Sequence, residues 1–364
     1  MLIQDPILCK AYDAPHRLWQ GIPSIAVTPG GRIYSTFYSG GTAEDIGNFA
    51  VLLRSEDGIH FSAPIAVAYL DENRCFDPCL WIDPLGRLWF TWAVMPLGGV
   101  YAAICDAPDA EVPVFSAPFL VGHGIMMNKP TVLSTGEWLF PIALWDSAFH
   151  AHLRKDTECP SGAFAYRTCD GGKHFCRLGG PCVPGRSFDE HMFLETEAGL
   201  SCYVRTKYGI GISYSTDGGL TWTEGEDSGL GGPDSRFHIR RLPSGRVLLV
   251  NHHEFTGRNN LTAFLSLDDG KTFPYRLLLD ERAWVSYPDV SQGPDGSLYI
   301  TYDRERGCFK HSLEEVYGDA REILYAKITE EDILAGRLVS KGSFLKRVIS
   351  RLGKYEEEDK VSFS

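Results

Sequence analysis

The sequence STDGGLTW at residues 215–222 decides the fold, because close copies of it recur along the chain. The copies are TCDGGKHF at 168–175, SLDDGKTF at 266–273 and a shortened SEDGIHF at 55–61. In each copy an Asp and one or two Gly close a tight hairpin, since Asp side chains bond nearby backbone and Gly allows positive φ. A hydroxyl side chain opens each unit, and an aromatic ring follows the turn. Four such hairpins predict a chain rich in antiparallel strands.

A second repeat, a Gly turn between two apolar runs, interleaves with these hairpins. Six such turns occur at intervals of about 50 residues, at Gly30, Gly86, Gly136, Gly199, Gly245 and Gly296. A period of this length with several strands in each unit is typical of a β-propeller. The sequence therefore predicts an all-β fold, a six-bladed β-propeller. A large β-sandwich is the alternative, but it does not require six repeats at this regularity.

The ends of the chain are assigned around this propeller. We expect residues 1–350 to form a single domain, followed by a charged C-terminal tail at 351–364. The N-terminal segment around residues 7–12, or a neighbouring strand, is expected to close blade six. Residues 329–335 predict a short helix, with Thr329 as its N-cap and acidic residues in the first turn.

Composition limits the partners of the chain. A formal charge of −12 argues against a nucleic-acid partner, and no stretch approaches the length of a membrane-spanning helix. No secretion signal is visible, so we expect a cytoplasmic protein or a mature form that has lost its leader. The ten cysteines include no paired CxxC spacing, which argues against a zinc site. The Cys and His clusters also lack the spacing of closed metal coordination, and we expect neither a metal nor a cofactor. The sequence carries no signal for an oligomeric state.

Counting nine residues back from each turn glycine identifies the mouths of the innermost strands, where propellers bind ligands. These positions are Gly21, Asp77, Met127 beside Asn128, Glu190, Arg236 and Tyr287. Five of the six lie in polar clusters that precede apolar strands, which is the arrangement expected of a concave binding site. For a single cluster, a polar group that only holds a loop is the simpler interpretation. Its recurrence in five blades favours a shared pocket.

Three stretches of the chain, two of which include positions from this set, resemble the sialidase (neuraminidase) family. The segment from Glu190 to Arg205, followed by the hairpin at 215, looks like the part of a sialidase that carries a catalytic Glu and a substrate-binding Arg. Arg258, before the hairpin at 266, looks like another binding Arg, and Tyr287 looks like the nucleophilic Tyr. The hairpins themselves resemble the Asp-box, or BNR repeat, of the same superfamily.

The resemblance implies a glycoside hydrolase that releases a terminal anionic sugar, sialic-acid-like or a uronic acid, from a glycan. Glu190 would accept the proton of Tyr287, because a phenol of ordinary pKa is a poor nucleophile. Arg205 and Arg258 would bind the carboxylate by charge-assisted hydrogen bonds. Sialidases are an exception to the two-carboxylate pattern of glycosidases in using a Tyr nucleophile.

The chain departs from the family at two positions. Sialidases begin with an Arg-Ile-Pro motif whose Arg binds the carboxylate, and here the Arg is replaced by Gly21. The family's acid/base Asp lies just before the first hairpin, where the nearest residue here is Asn48 or Phe49, and the amide of Asn cannot act as a general acid. Asp45 or Glu44 could serve as the acid if the loop is shifted, and Asp77 of blade two is another candidate.

Other residues are candidates to compensate for these departures. Arg236, Lys129 and Arg74 could supply the missing positive charge, with Asn128 as a further substrate-binding residue. His191, beside Glu190, is an additional catalytic candidate because His titrates near neutral pH.

Two other functions stay open on the sequence. In a uronate lyase, Tyr287 or His191 would transfer protons while Arg and Lys side chains neutralise the carboxylate. In a non-catalytic propeller, the same pocket would only bind sugar. All three functions have a glycan or oligosaccharide as partner.

The site itself is predicted in geometric terms. We expect a cavity near the axis, with Asp77 and Lys129 on its far wall, and a hydrogen bond of roughly 2.6–3.2 Å between Glu190 and the Tyr287 hydroxyl. The residues expected to converge on the cavity are Glu190, Arg205, Arg236, Arg258 and Tyr287.

Overall fold

A computed structural model describes residues 1–41, 44–145, 161–306 and 320–352 of the chain. The strands of this structure form six antiparallel sheets arranged in a ring, which confirms the six-bladed β-propeller. Blade one consists of β1 (Leu2–Ile3), β2 (Trp19–Val27), β3 (Ile33–Gly40), β4 (Phe49–Ser55) and β5 (Ala66–Ala68). Blade two consists of β6 (Arg74–Ile82), β7 (Leu88–Met95), β8 (Val100–Cys105) and β9 (Phe119–Gly122).

The other four blades each contain four strands. Blade three consists of β10 (Thr131–Val132), β11 (Trp138–Leu144), β12 (Gly162–Thr168) and β13 (Cys176–Arg177). Blade four consists of β14 (Arg186–Thr196), β15 (Gly199–Thr206), β16 (Gly209–Ser215) and β17 (Glu226–Asp227). Blade five consists of β18 (His238–Arg241), β19 (Val247–His252), β20 (Leu261–Ser266) and β21 (Tyr275–Asp280). Blade six consists of β22 (Val285–Gln292), β23 (Leu298–Arg304), β24 (Glu322–Ile328) and β25 (Phe344–Arg351).

The Asp hairpins lie between β4 and β5 in blade one and between the third and fourth strands of blades three, four and five, as the repeat predicts. In the hairpin after β16, the Ser215 hydroxyl accepts a hydrogen bond from the Gly219 N–H at 2.9 Å. The Asp217 carboxylate accepts from the N–H groups of Leu220 and Thr221 at 3.0 and 2.9 Å. The polar side chains therefore replace water on the turn's backbone, which fixes the hairpin.

Blade six is closed by its own C-terminal strand, β25, so the expectation that residues 7–12 close it is wrong. The reason lies in Asp5 and Pro6, which favour the start of a helix. The Asp5 carboxylate accepts from the Ile7 N–H at 2.7 Å and caps a short helix, α1 (Pro6–Cys9). Ahead of α1, β1 pairs with β5 at the outer edge of blade one.

The C-terminal helix follows the prediction. The helix α2 (Glu330–Ala335) begins with a capping box, in which Thr329 and Asp332 bond each other's backbone N–H groups. It ends at Gly336, whose φ of 65° is favourable for glycine. Arg351 belongs to β25, and residues 353–364 of the expected tail lie outside the described residues.

Aromatic side chains fill the spaces between the sheets. Between blades two and three, the ring centres of Trp81 and Trp138 are 5.0 Å apart in an edge-to-face arrangement, and Phe140 packs against both Trp81 and Trp89. Such contacts join blades two and three through one shared apolar cluster. The described helices include none that is long and apolar enough to cross a membrane.

The innermost strands of blades one, two and six each contain a β-bulge near the start of the strand. Within the bulges, Ile22, Asp77 and Tyr287 have φ values of 54°, 47° and 56°, and each precedes a proline. Positive φ in a residue other than glycine costs on the order of 1–3 kcal/mol and is concentrated at functional sites. Bulges re-aim side chains, so Asp77 and Tyr287 project in directions that a regular strand would not allow.

Candidate active site

Tyr287 and Glu190 form the centre of the site. Tyr287 lies on β22 and Glu190 on β14, and they are only 6% and 4% exposed. The Tyr287 hydroxyl donates a hydrogen bond to Glu190 Oε1 at 3.1 Å, which confirms the predicted contact. Burial raises the pKa of the Tyr287 phenol, Arg205 opposes this increase, and Glu190 adds to it. A phenol that holds its proton this firmly needs a base to become a nucleophile, and Glu190 is in position to serve as that base.

Arg205 connects this pair to the next blade. Its Nη1 donates to Glu190 Oε1 at 2.7 Å and to the Tyr287 hydroxyl at 2.9 Å. Its Nε and Nη2 bond the carboxylate and the carbonyl of Asp234 at 2.6 and 3.1 Å. Arg258 donates to the same Asp234 carbonyl at 3.0 Å, and its guanidinium lies 5.3 Å from the centre of the Tyr287 ring. The structure thus brings four of the predicted residues together at one place.

Arg306, which follows β23, is a member of the site that the sequence reasoning missed. Its guanidinium lies 4.2 Å from the centre of the Tyr287 ring. It pairs with Asp303 at 2.9 Å and with Glu44 at 3.2 Å. Counting from the turn glycines samples only the innermost strands, so a residue beyond the second strand escapes it. The available signal was the charged run at residues 303–306 directly after an apolar strand.

Asp77 is the carboxyl group whose properties best suit a general acid. It is buried, and its Oδ1 has no hydrogen-bond partner within the part of the chain that the structure describes. Burial raises the pKa of Asp77 to about 7, against the opposing effect of Arg74. Glu44 and Glu190 add to the increase, so Asp77 lies close enough to Glu190 for the two charges to interact.

The loop before β4 holds the other candidate acids. The Glu44 carboxylate forms ion pairs with Arg74 at 3.0 Å and with Arg306 at 3.2 Å. Burial alone would raise the pKa of Glu44, but the two arginines outweigh it and lower the pKa. Asn48 is buried, and its side-chain carbonyl accepts from the Asp45 N–H at 2.7 Å, so it shapes the loop. Glu44 therefore stays ionised at a pH where Asp77 still holds a proton.

Arg236 lies behind the site and is fully buried. Its Nη1 donates to the Met127 carbonyl at 3.0 Å. Its Nη2 lies 3.0 Å from each of the carbonyls of Pro23, Tyr287 and Pro288. Because both Nη groups bond main chain from three blades, the geometry gives Arg236 a structural role and does not support the predicted contact with substrate.

Lys129 lies deeper on the axis. Its ammonium pairs with the Asp289 carboxylate and donates to the Ile25 carbonyl at 2.9 Å and the Ser24 hydroxyl at 3.2 Å. Burial would raise the pKa of Asp289, but Lys129 outweighs it and lowers the pKa. All the donors of the ammonium have partners in the protein, so the geometry does not support the predicted contact of Lys129 with substrate on the far wall of the cavity.

Asn128 and His191 join neighbouring blades. The Asn128 amide donates to the His191 carbonyl at 2.9 Å. The two ring nitrogens of His191 lie 2.8 and 2.9 Å from the carbonyls of Asp189 and Phe164. Burial lowers the pKa of His191. With both nitrogens against main-chain carbonyls, neither is placed to move a substrate proton, so the geometry does not support the predicted roles of these two residues.

Two further features describe the surroundings of the site. Cavities of about 310 and 320 Å³ lie at the other end of the axis and share a lining that includes Trp81, Arg240 and Pro243. Among the described residues, no group of three or more His, Cys, Asp or Glu side chains is placed to hold a metal ion.

Comparison with known proteins identifies the family. The sequence profile of the BNR repeat-like domain matches residues 31–300, whereas no curated protein matches the chain. The leech intramolecular trans-sialidase, solved with 2,7-anhydro-Neu5Ac, superimposes with a TM-score of 0.66 at 13% identity, covering 89% of this chain and 70% of the leech chain. The Hadza microbial sialidase Hz136 gives 0.61 at 19% identity, over 79% of this chain but only 64% of its own length.

A third similar structure has no assigned activity. It is a protein of unknown function from Dyadobacter fermentans, with a TM-score of 0.61 at 18% identity, covering 79% of this chain and 91% of that one. At these identities the likeness establishes the shared fold. Together with the profile match, which covers most of the chain, it shows that this protein belongs to the BNR repeat-like domain family and is a sialidase-like six-bladed β-propeller.

Proposed function

We propose that the protein is a glycoside hydrolase that releases a terminal anionic sugar, sialic-acid-like or a uronic acid, from a glycan. The observation that carries the proposal is the bonding of the Tyr287 hydroxyl. It donates to Glu190 at 3.1 Å and accepts from Arg205 at 2.9 Å. A phenol between a base and a guanidinium can lose its proton to the base while the cation stabilises the developing negative charge.

The first half of the reaction forms a bond between the Tyr287 oxygen and the anomeric carbon. Glu190 takes the phenol proton as this bond forms. At the same time, the bond from the anomeric carbon to the leaving oxygen breaks, and Asp77 gives its proton to that oxygen. Asp77 can do so near neutral pH because burial raises its pKa to about 7.

The second half reverses these transfers. Water attacks the anomeric carbon and loses its proton to Asp77, while the bond to the Tyr287 oxygen breaks and Glu190 returns the phenol proton. Two displacements at one carbon retain its configuration. Each group ends in its starting protonation state, so the cycle needs no cofactor.

The charges around Tyr287 favour an anionic sugar. Arg205, Arg258 and Arg306 surround the ring, and guanidinium groups bind carboxylates by paired hydrogen bonds. A neutral phenol also approaches an anionic sugar with less repulsion than a carboxylate nucleophile would. Phe188, 54% exposed and lying against the Arg205 guanidinium, offers an apolar face to the sugar ring.

A uronate lyase is the second candidate, because Tyr287 beside Arg205 would also suit the removal of a proton next to a carboxylate that the arginine neutralises. The two reactions give different products. Hydrolysis releases a saturated reducing sugar, whereas elimination creates a conjugated double bond that absorbs in the ultraviolet. A non-catalytic propeller would bind the sugar and give neither product.

The test is incubation with a panel of sialosides, uronate-capped oligosaccharides and rhamnosyl-glucuronates, with product analysis by mass spectrometry and ultraviolet absorbance. We expect a saturated anionic monosaccharide from the wild type and almost none from Tyr287→Phe, which keeps the ring and removes the nucleophile. Undiminished turnover in Tyr287→Phe would rule out the Tyr mechanism. An ultraviolet-absorbing product would replace the hydrolase by the lyase.

A further inference from the structure

We propose that Arg306, together with Arg205 and Arg258, binds the carboxylate of the substrate. Arg306 belongs to blade six, and its side chain occupies the space beside Gly21 of blade one. This inference rests on the proposed function and deepens it. It assigns the missing positive charge to a residue outside the innermost strands, and it gives Gly21 a reason to be glycine.

The first observation is the close approach of the two residues. A Cβ atom at position 21 would lie 2.5 Å from Arg306 Cδ and 2.9 Å from its Cγ, distances that real Cβ atoms do not tolerate. Gly21 is not among the residues with positive φ, so conformational freedom does not account for it. A side chain at position 21 and the observed Arg306 side chain are therefore mutually exclusive.

The second observation is that blade one holds Arg306 in place from both sides of Gly21. The N–H of Gln20 donates to the Arg306 carbonyl at 3.2 Å. The N–H of Ile22 donates at 2.7 Å to the carboxylate of Asp303, which pairs with the Arg306 Nε at 2.9 Å. Strand β2 thus fixes the backbone and the ion pair of Arg306 while it leaves room for the side chain.

The third observation is that the guanidinium of Arg306 faces Tyr287. Its guanidinium lies 4.2 Å from the centre of the Tyr287 ring. Together with Arg205 and Arg258, it places cations from blades four, five and six around a single phenol. The long 3.4 Å contact from its Nη2 to the Ser286 hydroxyl leaves room for a stronger acceptor.

Glu44 shows that the Arg306 guanidinium already binds a carboxylate in this structure. One oxygen of Glu44 lies 3.2 Å from Arg306 and the other lies 3.0 Å from Arg74. These two pairings keep Arg306 charged and oriented although it is almost completely buried. A guanidinium carries five N–H groups, so pairing with Asp303 and Glu44 leaves donors for a ligand.

The test measures the binding of the 2,3-unsaturated analogue of N-acetylneuraminic acid and of its methyl ester, which lacks the charge. The wild type should prefer the acid to the ester. Arg306→Met should weaken binding of the acid by about tenfold or more and leave the ester almost unaffected, because one charge-assisted pair is lost. Gly21→Ala should weaken the acid similarly, since its Cβ displaces Arg306. Arg304→Met is the matched control, since Arg304 pairs with Glu322 and Glu305 instead.

A paired variant, Gly21→Arg with Arg306→Gly, keeps the test informative if Arg306→Met folds poorly. It should recover part of the preference for the acid, because the guanidinium then enters the same space from blade one. If a folded Arg306→Met prefers the acid as strongly as the wild type does, the inference about Arg306 is wrong and the proposed function stands. If the wild type itself neither binds nor cleaves the anionic sugars, both proposals fail.

Discussion

Two layers of buried cationic side chains lie along the axis of the propeller, and they differ in the groups that accept their hydrogen bonds. In the inner layer, Arg236 and Lys129 bond main-chain carbonyls, a serine hydroxyl and one paired carboxylate. In the outer layer, Arg205 bonds the Tyr287 hydroxyl and the Glu190 carboxylate, both groups with chemistry of their own. The difference teaches that a buried cation at the axis does not by itself mark a ligand site. We expect a ligand site where the partners of the cation are side chains that can themselves react, as at Arg205.

The largest effect should come from Tyr287→Phe in the outer layer. We expect kcat to fall by about a thousandfold or more, because the nucleophile is lost, while Tm changes little since the ring remains. The measurement is steady-state turnover of an aryl sialoside or an aryl glucuronide, beside thermal unfolding. A large fall in Tm with little change in kcat would place Tyr287 with the inner layer.

The opposite pattern is expected for Arg236→Met in the inner layer. Loss of the guanidinium leaves four buried carbonyls without this donor, and the free energy of unfolding should fall by about 3–5 kcal/mol. Denaturant unfolding measures the change, with Arg258→Met as the control because Arg258 is only half-buried. If Arg236→Met unfolds like the wild type and instead loses affinity for the sugar, the assignment of the two layers is reversed.

The third prediction concerns pH and Asp77. In the proposed mechanism the protonated form of Asp77 is the acid. Because the pKa of Asp77 is raised to about 7, kcat/KM should then fall as pH rises through about 7. Asp77→Asn should lose this alkaline limb. It should also lose more activity on alkyl glycosides, whose leaving oxygen needs a proton, than on aryl glycosides with a good leaving group. An unchanged pH profile in Asp77→Asn would point to a different acid.

The fourth prediction is that the raised pKa of Asp77 makes the free energy of unfolding decrease as pH rises. The folded state holds the Asp77 proton up to about pH 7, whereas an unfolded Asp releases it near pH 4. The wild type should therefore lose stability as pH rises between these values, and Asp77→Asn should lose less. Unfolding at several pH values measures this difference. A parallel pH dependence in the two proteins would contradict the raised pKa.

The smallest effect should come from Arg258→Ala. Arg258 bonds the Asp234 carbonyl and faces the Tyr287 ring, but it does not touch the phenol oxygen through any bond found among the described residues. We expect KM for an anionic sugar to rise by about tenfold while kcat changes little. A fall in kcat with an unchanged KM would instead give Arg258 a part in the chemical step.

The two layers also explain which features of the site could be predicted from the sequence. The hairpins, the capped helix and the meeting of Tyr287 with Glu190 and Arg205 follow from local patterns and from the family resemblance. Arg236 shares the register of Tyr287, yet both of its Nη groups bond main-chain carbonyls. A register places a residue along the axis, and it does not reveal which partners its side chain finds.

Gly21 and Arg306 show a contact that could not be predicted from the sequence. From the sequence, Gly21 is simply the absence of an arginine. In the structure, Arg306, which follows β23 and lies 285 residues later in the chain, fills the space that a side chain at position 21 would occupy. A compensation between blades one and six depends on the closure of the ring, which leaves no trace in local sequence.

The central claim is that Tyr287 attacks the sugar, and trapping the covalent intermediate tests it most directly. A sialyl fluoride with a second fluorine next to the anomeric carbon carries a good leaving group and slows hydrolysis of the intermediate. After incubation and proteolysis, mass spectrometry should find one added sugar on the peptide that contains Tyr287, and none in Tyr287→Phe. A wild-type protein that turns over anionic sugars and carries the adduct on another residue would contradict the account.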